Sequence, residues 1–291
     1  MKFTKMQAYG NDYVYIETLT QTVENPSALA RFVSKQHFGI GSDGMILICQ
    51  SQIADFRMRV FNPDGSEAEM CGNATRSVGK FVYSKGFTNK TEITLETIGG
   101  IKLITLFVKN GNVVNISANI GAPIFDVSKI PSTLSNGDNK LINYHVKIID
   151  RDFVITAISL GNPHCGVYCE NVFDDFDIEK YGPFIENLEI FPKKANVEFY
   201  EVIDKNTLHL RTWERNCGET LACATGCCVS TVSAYLLGKS DSSCNVVQRG
   251  GIIKIDYNTQ RNELVMTGKS EFVFDGFLDD DFIKEVCNEN Q

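Results

Sequence analysis

RVFNPDGSEAEMCGNATRSVGKFVYSKG, residues 59–86, and RTWERNCGETLACATGCCVSTVSAYLLG, residues 211–238, carry one pattern twice. Arg59 and Arg211, Glu67 and Glu219, Cys71 and Cys223, Tyr83 and Tyr235, and Gly86 and Gly238 each stand 152 residues apart. Phe61 and Trp213 match as aromatics at that offset. Each copy reads as a short strand, a polar turn with Gly, a cysteine, and an amphipathic stretch closed by Gly. Further upstream, Gly10-Asn11 and Gly161-Asn162 are 151 apart. A period this long is no solenoid repeat; it signals duplication of a whole domain. A cysteine at a helix start lies beside backbone N–H groups and the positive end of the dipole, which favour a thiolate. One such cysteine per copy predicts a site built between two halves.

The 291 residues suit one large domain or two ordinary ones. A hydrophobic share of 43% and a charged share of 22% are globular values. The formal charge of −8, with no Lys/Arg cluster, argues against a nucleic-acid or anionic-membrane partner. The N-terminus lacks the apolar core of a secretory signal, and no stretch reaches the length of a membrane span. A cytoplasmic protein is expected. Ten cysteines then argue for buried thiols over a disulfide framework. Zinc is disfavoured, since no Cys-x-x-Cys pair occurs and there are only four histidines.

In chain order, residues 12–17 and 57–61 read as strands, and residues 27–35 as a helix with a Ser or Asn cap. GIGSDGMILIC (39–49) is a turn entering a buried strand, without the Gly-Lys-Ser/Thr of a phosphate loop. Helices are expected over residues 72–83 and 224–237, and over 172–188 with Pro183 against its continuity. Short strands fill residues 91–126, 145–149, 153–160, 196–202 and 207–213, and three more follow near GIIKIDY, ELVMTG and SEFVFDG. Residues 132–140 read as a polar linker, and the acidic tail from residue 277 as a last helix. Strands outnumber helices too heavily for a doubly wound parallel sheet, so the class is α+β.

Two cysteines facing one carbon can act as base and acid. The thiolate removes a proton from one face and the thiol returns one to the other, which inverts the centre. The reverse reaction exchanges their roles, so both must be equally suited. An amino-acid α-proton is far less acidic than a thiol. The carboxylate of the developing carbanion therefore needs strong donors, which the two helix N-termini can supply.

At this point the chain resembles the diaminopimelate epimerases, through YGNDYV, GSDG, FNPDGSEAEMCGNATR, GNPHC, NVEF and WERNCGETLACATG. The resemblance covers nearly the whole chain. It implies an α+β fold of two pseudo-symmetric halves, each a mixed, mostly antiparallel sheet wrapped around a central helix. The halves are expected at 1–122, joined by about 270–291, and at 123–269. It implies interconversion of LL- and meso-2,6-diaminopimelate by two-base proton transfer at one α-carbon, a step of lysine biosynthesis. No cofactor is implied, neither pyridoxal phosphate nor metal, and the enzyme is expected as a homodimer. By this match Cys71 and Cys223 are the acid/base pair. Gly72, Asn73, Ala224 and Thr225 cradle the reacting carboxylate. Asn11, Asn62, Asn162 and Asn196 orient the substrate, and Arg215 anchors the distal carboxylate. Glu214 and His164 lie beside the reacting centre.

Ala74 and Ala224 stand where the family commonly has Gly, and Gly44 where it often has Gln. Arg59, Arg211, Glu67 and Glu219 are read as structural, and Cys217, Cys227 and Cys228, which lack partners at the offset, as packing residues. The nearest alternative is a related cofactor-independent racemase of another amino acid, such as histidine or a lanthionine-type substrate. Arg215 disfavours a substrate with one carboxylate. A thiol redox protein or an inactive binding protein on the same fold are the rivals from other classes.

Overall fold

The computed structural model describes residues 1–130, 132–133, 139–281 and 283–284. It divides into two compact units: Met1–Ala118 together with the segment beginning at Lys269, and Asn119–Gly268. The expected linker and terminal helix fall largely outside the described residues.

Along the chain lie β1 (Lys2–Ala8), β2 (Asn11–Glu17), α1 (Pro26–Ser34), β3 (Met45–Cys49), β4 (Phe56–Phe61), β5 (Glu67–Ala68), α2 (Gly72–Ser84), β6 (Glu92–Thr97), β7 (Gly100–Lys109) and β8 (Asn112–Gly121). There follow β9 (Tyr144–Ile148), β10 (Arg151–Ser159), β11 (Pro163–Tyr168), α3 (Ile178–Glu186), β12 (Asn196–Asp204), β13 (Thr207–Glu214), β14 (Gly218–Thr220), α4 (Ala224–Leu236), β15 (Ser243–Gln248), β16 (Gly251–Asn258), β17 (Glu263–Gly268) and β18 (Glu271–Phe277).

In the first unit β1 pairs antiparallel with β18 and β2, β2 parallel with β3, β3 antiparallel with β4, β4 parallel with β6, and β6 antiparallel with β7. In the second unit β10 pairs antiparallel with β9 and β11, β11 parallel with β12, β12 antiparallel with β13, β13 parallel with β15, and β15 antiparallel with β16. The two sequences of pairings are the same. Parallel neighbours need a crossover, and the helices supply it: α1 and α3 between the first parallel pair, α2 and α4 between the second. Register is duplicated as well. Val14↔Met45 and Met45↔Phe61 recur as Cys165↔Val197 and Val197↔Trp213. Since a one-residue slip would reverse the face of every side chain, shared register fixes matching residues to matching positions.

Each sheet is covered on both faces. In the first unit Leu29, Ala30 and Val33 of α1 pack with Val14, Ile16, Met45 and Leu47. Ala74, Val78, Phe81 and Val82 of α2 pack with Tyr13, Tyr15, Ile46, Ile93 and Ile104 on the other face. In the second unit Ile178, Tyr181 and Ile185 of α3 pack with Phe153, Ile155, Val167 and Phe199. α4 touches β11, β12, β13, β15, β16 and β17. It is not the amphipathic helix expected. Residues 226–234 are all buried, and a helix enclosed by strands needs no polar face. Gly86 and Gly238 close α2 and α4 at φ of 78° and 71°, a conformation in which a Cβ would be strained.

α3 is shorter than the pattern predicts. Asp177 caps it, its side chain accepting from the Lys180 N–H, while Val172 and Phe176 enter the core from the turns before it. Pro183 lies inside the helix. Among the described residues no helix is long and apolar enough to cross a membrane.

Candidate active site

Cys71 is the residue before the first turn of α2, with extended backbone at φ −130° and ψ 119°. Cys223 holds the same place before α4, at φ −124° and ψ 109°. Each cysteine thus sits where strand chemistry hands over to a helix. The first N–H groups of a helix lack intrahelical acceptors and carry its positive dipole end. Gly72 and Asn73 in one unit, and Ala224 and Thr225 in the other, therefore bring backbone donors beside a thiol.

In the first unit the Cys71 thiol donates to Asn11 Oδ1 at 3.7 Å, and Asn73 Nδ2 donates to the same oxygen at 3.2 Å. Asn73 is held in turn by Arg76, which is wholly buried and donates to Asn73 Oδ1 at 2.6 Å. Asn11 Nδ2 donates to Asp43 at 2.8 Å. Burial raises the Asp43 carboxyl above its usual value, against the lowering effect of the Asp12 N–H. Asn62 stands apart from this chain of bonds; its amide donates to Ser66 at 2.9 Å within the NPDGS turn.

Tyr13, unassigned on sequence, belongs here. It is buried, and it matches His164 at the 151-residue offset. Burial first, then the charge of Cys71 and a hydrogen bond to it, push its hydroxyl well above the ordinary tyrosine range. The Phe61 backbone and Tyr13 together explain Gly44. A Cβ at Gly44, where φ is +149°, would lie 2.3 Å from the Phe61 carbonyl oxygen and 2.9 Å from the Tyr13 ring. A larger side chain has no room there.

In the second unit Cys223 is 7% exposed. Its sulfur accepts from the Gly226 N–H at 3.3 Å and lies 3.4 Å from Thr225 Oγ1. Its own N–H donates to Gln248 at 2.7 Å. Burial, followed by the charges of Glu214 and Glu198, raises the Cys223 thiol well above its usual value; Thr225 and the Gly226 N–H oppose the rise but do not cancel it. The helix start alone therefore does not set this thiol. Burial beside two carboxylates outweighs it.

His164 is wholly buried between Glu198, 2.7 Å from Nδ1, and Asn162 Oδ1, 2.9 Å from Nε2. Glu198 was not picked out in the sequence beyond its place in NVEF. It is wholly buried, and its Oε2 has no hydrogen-bond partner among the described residues. Asn196 accepts from the Arg215 N–H at 2.9 Å, and Arg215 donates to the Lys193 carbonyl at 3.2 Å. Glu214 accepts from Thr220 at 2.6 Å. The repeat-matched pairs are ion pairs: Arg59 with Glu67 at 2.8 Å, Arg211 with Glu219 at 2.7 Å. Glu219 is engaged by Arg211 and by Arg249, the latter at 2.9 Å, and the Arg215 guanidinium reaches the Lys193 carbonyl instead.

The model of the diaminopimelate epimerase family matches residues 3–125 and 156–273. A diaminopimelate epimerase of Methanococcus maripaludis is 48% identical over 279 residues, which cover 96% of this chain and 100% of that protein. The chain belongs to the diaminopimelate epimerase family. A second such enzyme, from Acetivibrio thermocellus, is also 48% identical, over 96% of this chain and 99% of its own. Among solved structures, a PhzF-family phenazine biosynthesis protein of Bacillus anthracis aligns at a TM-score of 0.67 with 19% identity, over 96% of this chain and 99% of that one. A hydroxyproline epimerase from Agrobacterium vitis aligns at 0.66 with 12% identity, over 95% and 91%. These distant likenesses concern the fold, a two-unit α+β architecture; the family rests on the close relatives.

Proposed function

We propose that Cys71 and Cys223 are the two bases of a diaminopimelate epimerase, one taking the α-proton as thiolate while the other delivers a proton as thiol. The activity itself, interconversion of LL- and meso-diaminopimelate, is that of the family to which nearly the whole chain belongs. The observation that carries the catalytic reading is the duplicated placement of the cysteines, each immediately before a buried crossover helix. Stereoinversion needs two groups of equal competence on opposite faces of one carbon, and duplication is the simplest source of them.

The remaining roles follow from donor chemistry. Gly72, Asn73, Ala224 and Thr225 offer N–H groups to the reacting carboxylate as negative charge builds on it. Asn11, held by Asn73 and Asp43, is fixed beside Cys71. Asn162, held by His164, and Asn196, held by Arg215, orient the substrate in the other unit, and Asn62 does so from the NPDGS turn. Glu214 takes the substrate's amino group, and the Arg215 guanidinium takes the distal carboxylate as a two-pronged donor. The thiols supply all the proton chemistry, with no cofactor. The enzyme works as a cytoplasmic homodimer, as family resemblance implies.

The test is exchange of the α-proton in deuterated water with purified protein. Cys71→Ala and Cys223→Ala are each expected to lose about 10²–10⁴-fold or more in epimerisation, the usual weight of a positioned acid or base. Full epimerase activity in either variant would refute the assignment. A substrate panel checks Arg215: faster turnover of an amino acid with one carboxylate would remove its role.

A further inference from the structure

The turn that carries Glu214 and Arg215 is held from behind by a residue that the reaction itself does not use. Glu186, the last residue of α3, is 5% exposed. Its Oε2 accepts from Trp213 Nε1 at 2.8 Å. Its Oε1 accepts from the Asn216 N–H at 3.0 Å and from Lys194 Nζ at 3.2 Å. Its backbone carbonyl accepts from the Ala195 N–H at 3.2 Å. One glutamate therefore grips both sides of Arg215, at 213 and 216, and also the 194–195 stretch immediately before Asn196. The same two segments are joined again by the Arg215 N–H on Asn196 and by Lys194 Nζ on Asn216 at 2.8 Å.

The duplication provides an internal control. At the 152-residue offset Trp213 answers to Phe61, Arg215 to Pro63 and Asn216 to Asp64. The Phe61 ring has no N–H to give. The first copy closes its turn on itself, with Asp64 accepting from the Ser66 N–H at 2.9 Å and the Asn62 N–H donating to the Ser66 carbonyl at 2.9 Å. Only the copy that bears an arginine at this place has an indole N–H and a buried carboxylate to hold it.

We propose that Glu186 is a positioning residue for diaminopimelate binding, fixing the 213–216 turn so that Arg215 meets the substrate's distal carboxylate. This rests on the reading of Arg215 as that anchor. Binding to a preorganised guanidinium costs less ordering than binding to one on a loose turn. Gln in place of Glu186 has one oxygen and one NH₂ to face three donors, so one of the two sides must be released.

Steady-state kinetics of Glu186→Gln, Arg215→Ala and the double variant test this. Glu186→Gln is expected to raise KM for diaminopimelate about tenfold while kcat stays within about threefold, the pattern of lost uniform binding. Because both residues act on one carboxylate, the double variant is expected to be no worse than Arg215→Ala alone. A fall in kcat at unchanged KM, or losses that multiply in the double variant, would overturn the assignment, since a merely structural residue gives that result. A normal defect in Arg215→Ala beside a silent Glu186→Gln overturns the positioning role alone. Wild-type KM in Arg215→Ala overturns the anchor reading and the positioning role with it. Trp213→Phe, which installs the first copy's residue, removes the indole donor together with part of the ring; it is expected to raise KM about threefold and serves should Glu186→Gln fail to fold.

Discussion

Cys223 is a thiol whose surroundings oppose its ionisation: burial first, then Glu214 and Glu198. A raised value means that the protonated form persists to higher pH than in a free cysteine, so nucleophilic reactivity toward a reagent is expected to set in at more alkaline pH than for a free thiol. Replacing Glu214 by Gln removes one opposing charge. We expect the pH profile for alkylation of Cys223 by a small neutral reagent, followed peptide by peptide in mass spectra, to move toward lower pH in Glu214→Gln. The midpoint is the quantity to compare, because slow access changes the rate and not the midpoint. An unmoved midpoint would show that the carboxylate does not govern the thiol. Legibility at this scale divides along the same line. Cys71 and Cys223 could be found because the repeat marks them twice. Tyr13 could have been found too, as the offset partner of His164. Glu198 and Glu186 could not: a glutamate in a strand or at a helix end looks solvated until its tertiary neighbours are known.

The same ion pair occurs in both β-hairpins that precede the cysteine helices, β4–β5 and β13–β14, but the second is more buried and better connected, with Arg249 also 2.9 Å from Glu219. Arg59 and Glu67 are 31% and 26% exposed as side chains, whereas Arg211 and Glu219 are 8% and 16% exposed. Arg211 also donates to the carbonyls of Phe176, at 2.7 Å, and Val172, at 3.2 Å, which tie β13 to the turns before α3. Removing one member of a surface pair costs about 1 kcal/mol or less, but stranding a buried guanidinium costs about 3 kcal/mol. Urea unfolding should therefore show Glu219→Ala losing about 3 kcal/mol and Glu67→Ala about 1 kcal/mol or less. Equal losses would mean that the hairpin, and not burial, sets the energy. Elements differed in how plainly the sequence announced them. α2 and α4 stand between a cysteine and a closing glycine, so both ends were readable. β1 was hidden, because Thr4 and Lys5 are polar yet buried. Thr4 donates to Asp275 at 2.6 Å and Lys5 bonds the Gly41 carbonyl, so their partners come from distant segments. β15 was missed because SCNVVQ is short and half polar, and its place is fixed by β13 and β16 on either side.

The N-terminal unit is discontinuous in sequence, and this has consequences for the molecule as a whole. β18 lies along β1 from Lys2↔Phe277 to Gln7↔Glu271. Ser270 shares a buried hydrogen bond of 2.7 Å with Ser77 on α2, and the Leu278 N–H donates to the Met1 carbonyl at 2.8 Å. These contacts join residues some 190 to 277 positions apart. β18 follows the whole second unit in the chain, so during synthesis the first unit cannot be completed before the second has been made, and closure over such distances is itself slow. The second unit, Asn119–Gly268, is continuous and has its own core. A chain ending at Gly268 would leave β1 with one neighbour and Ser77 without its buried partner. Limited proteolysis of that chain should cut rapidly within residues 1–118 and spare a fragment near 119–268. Hydrogen exchange should show lost protection in β1 and α2 and retained protection in β11, β12 and α4. Protection of both units at full-length levels would mean that β18 only decorates a sheet already stable without it. Loss of both together would mean that the second unit depends on the first, so that its continuous chain does not make it an independent folding unit.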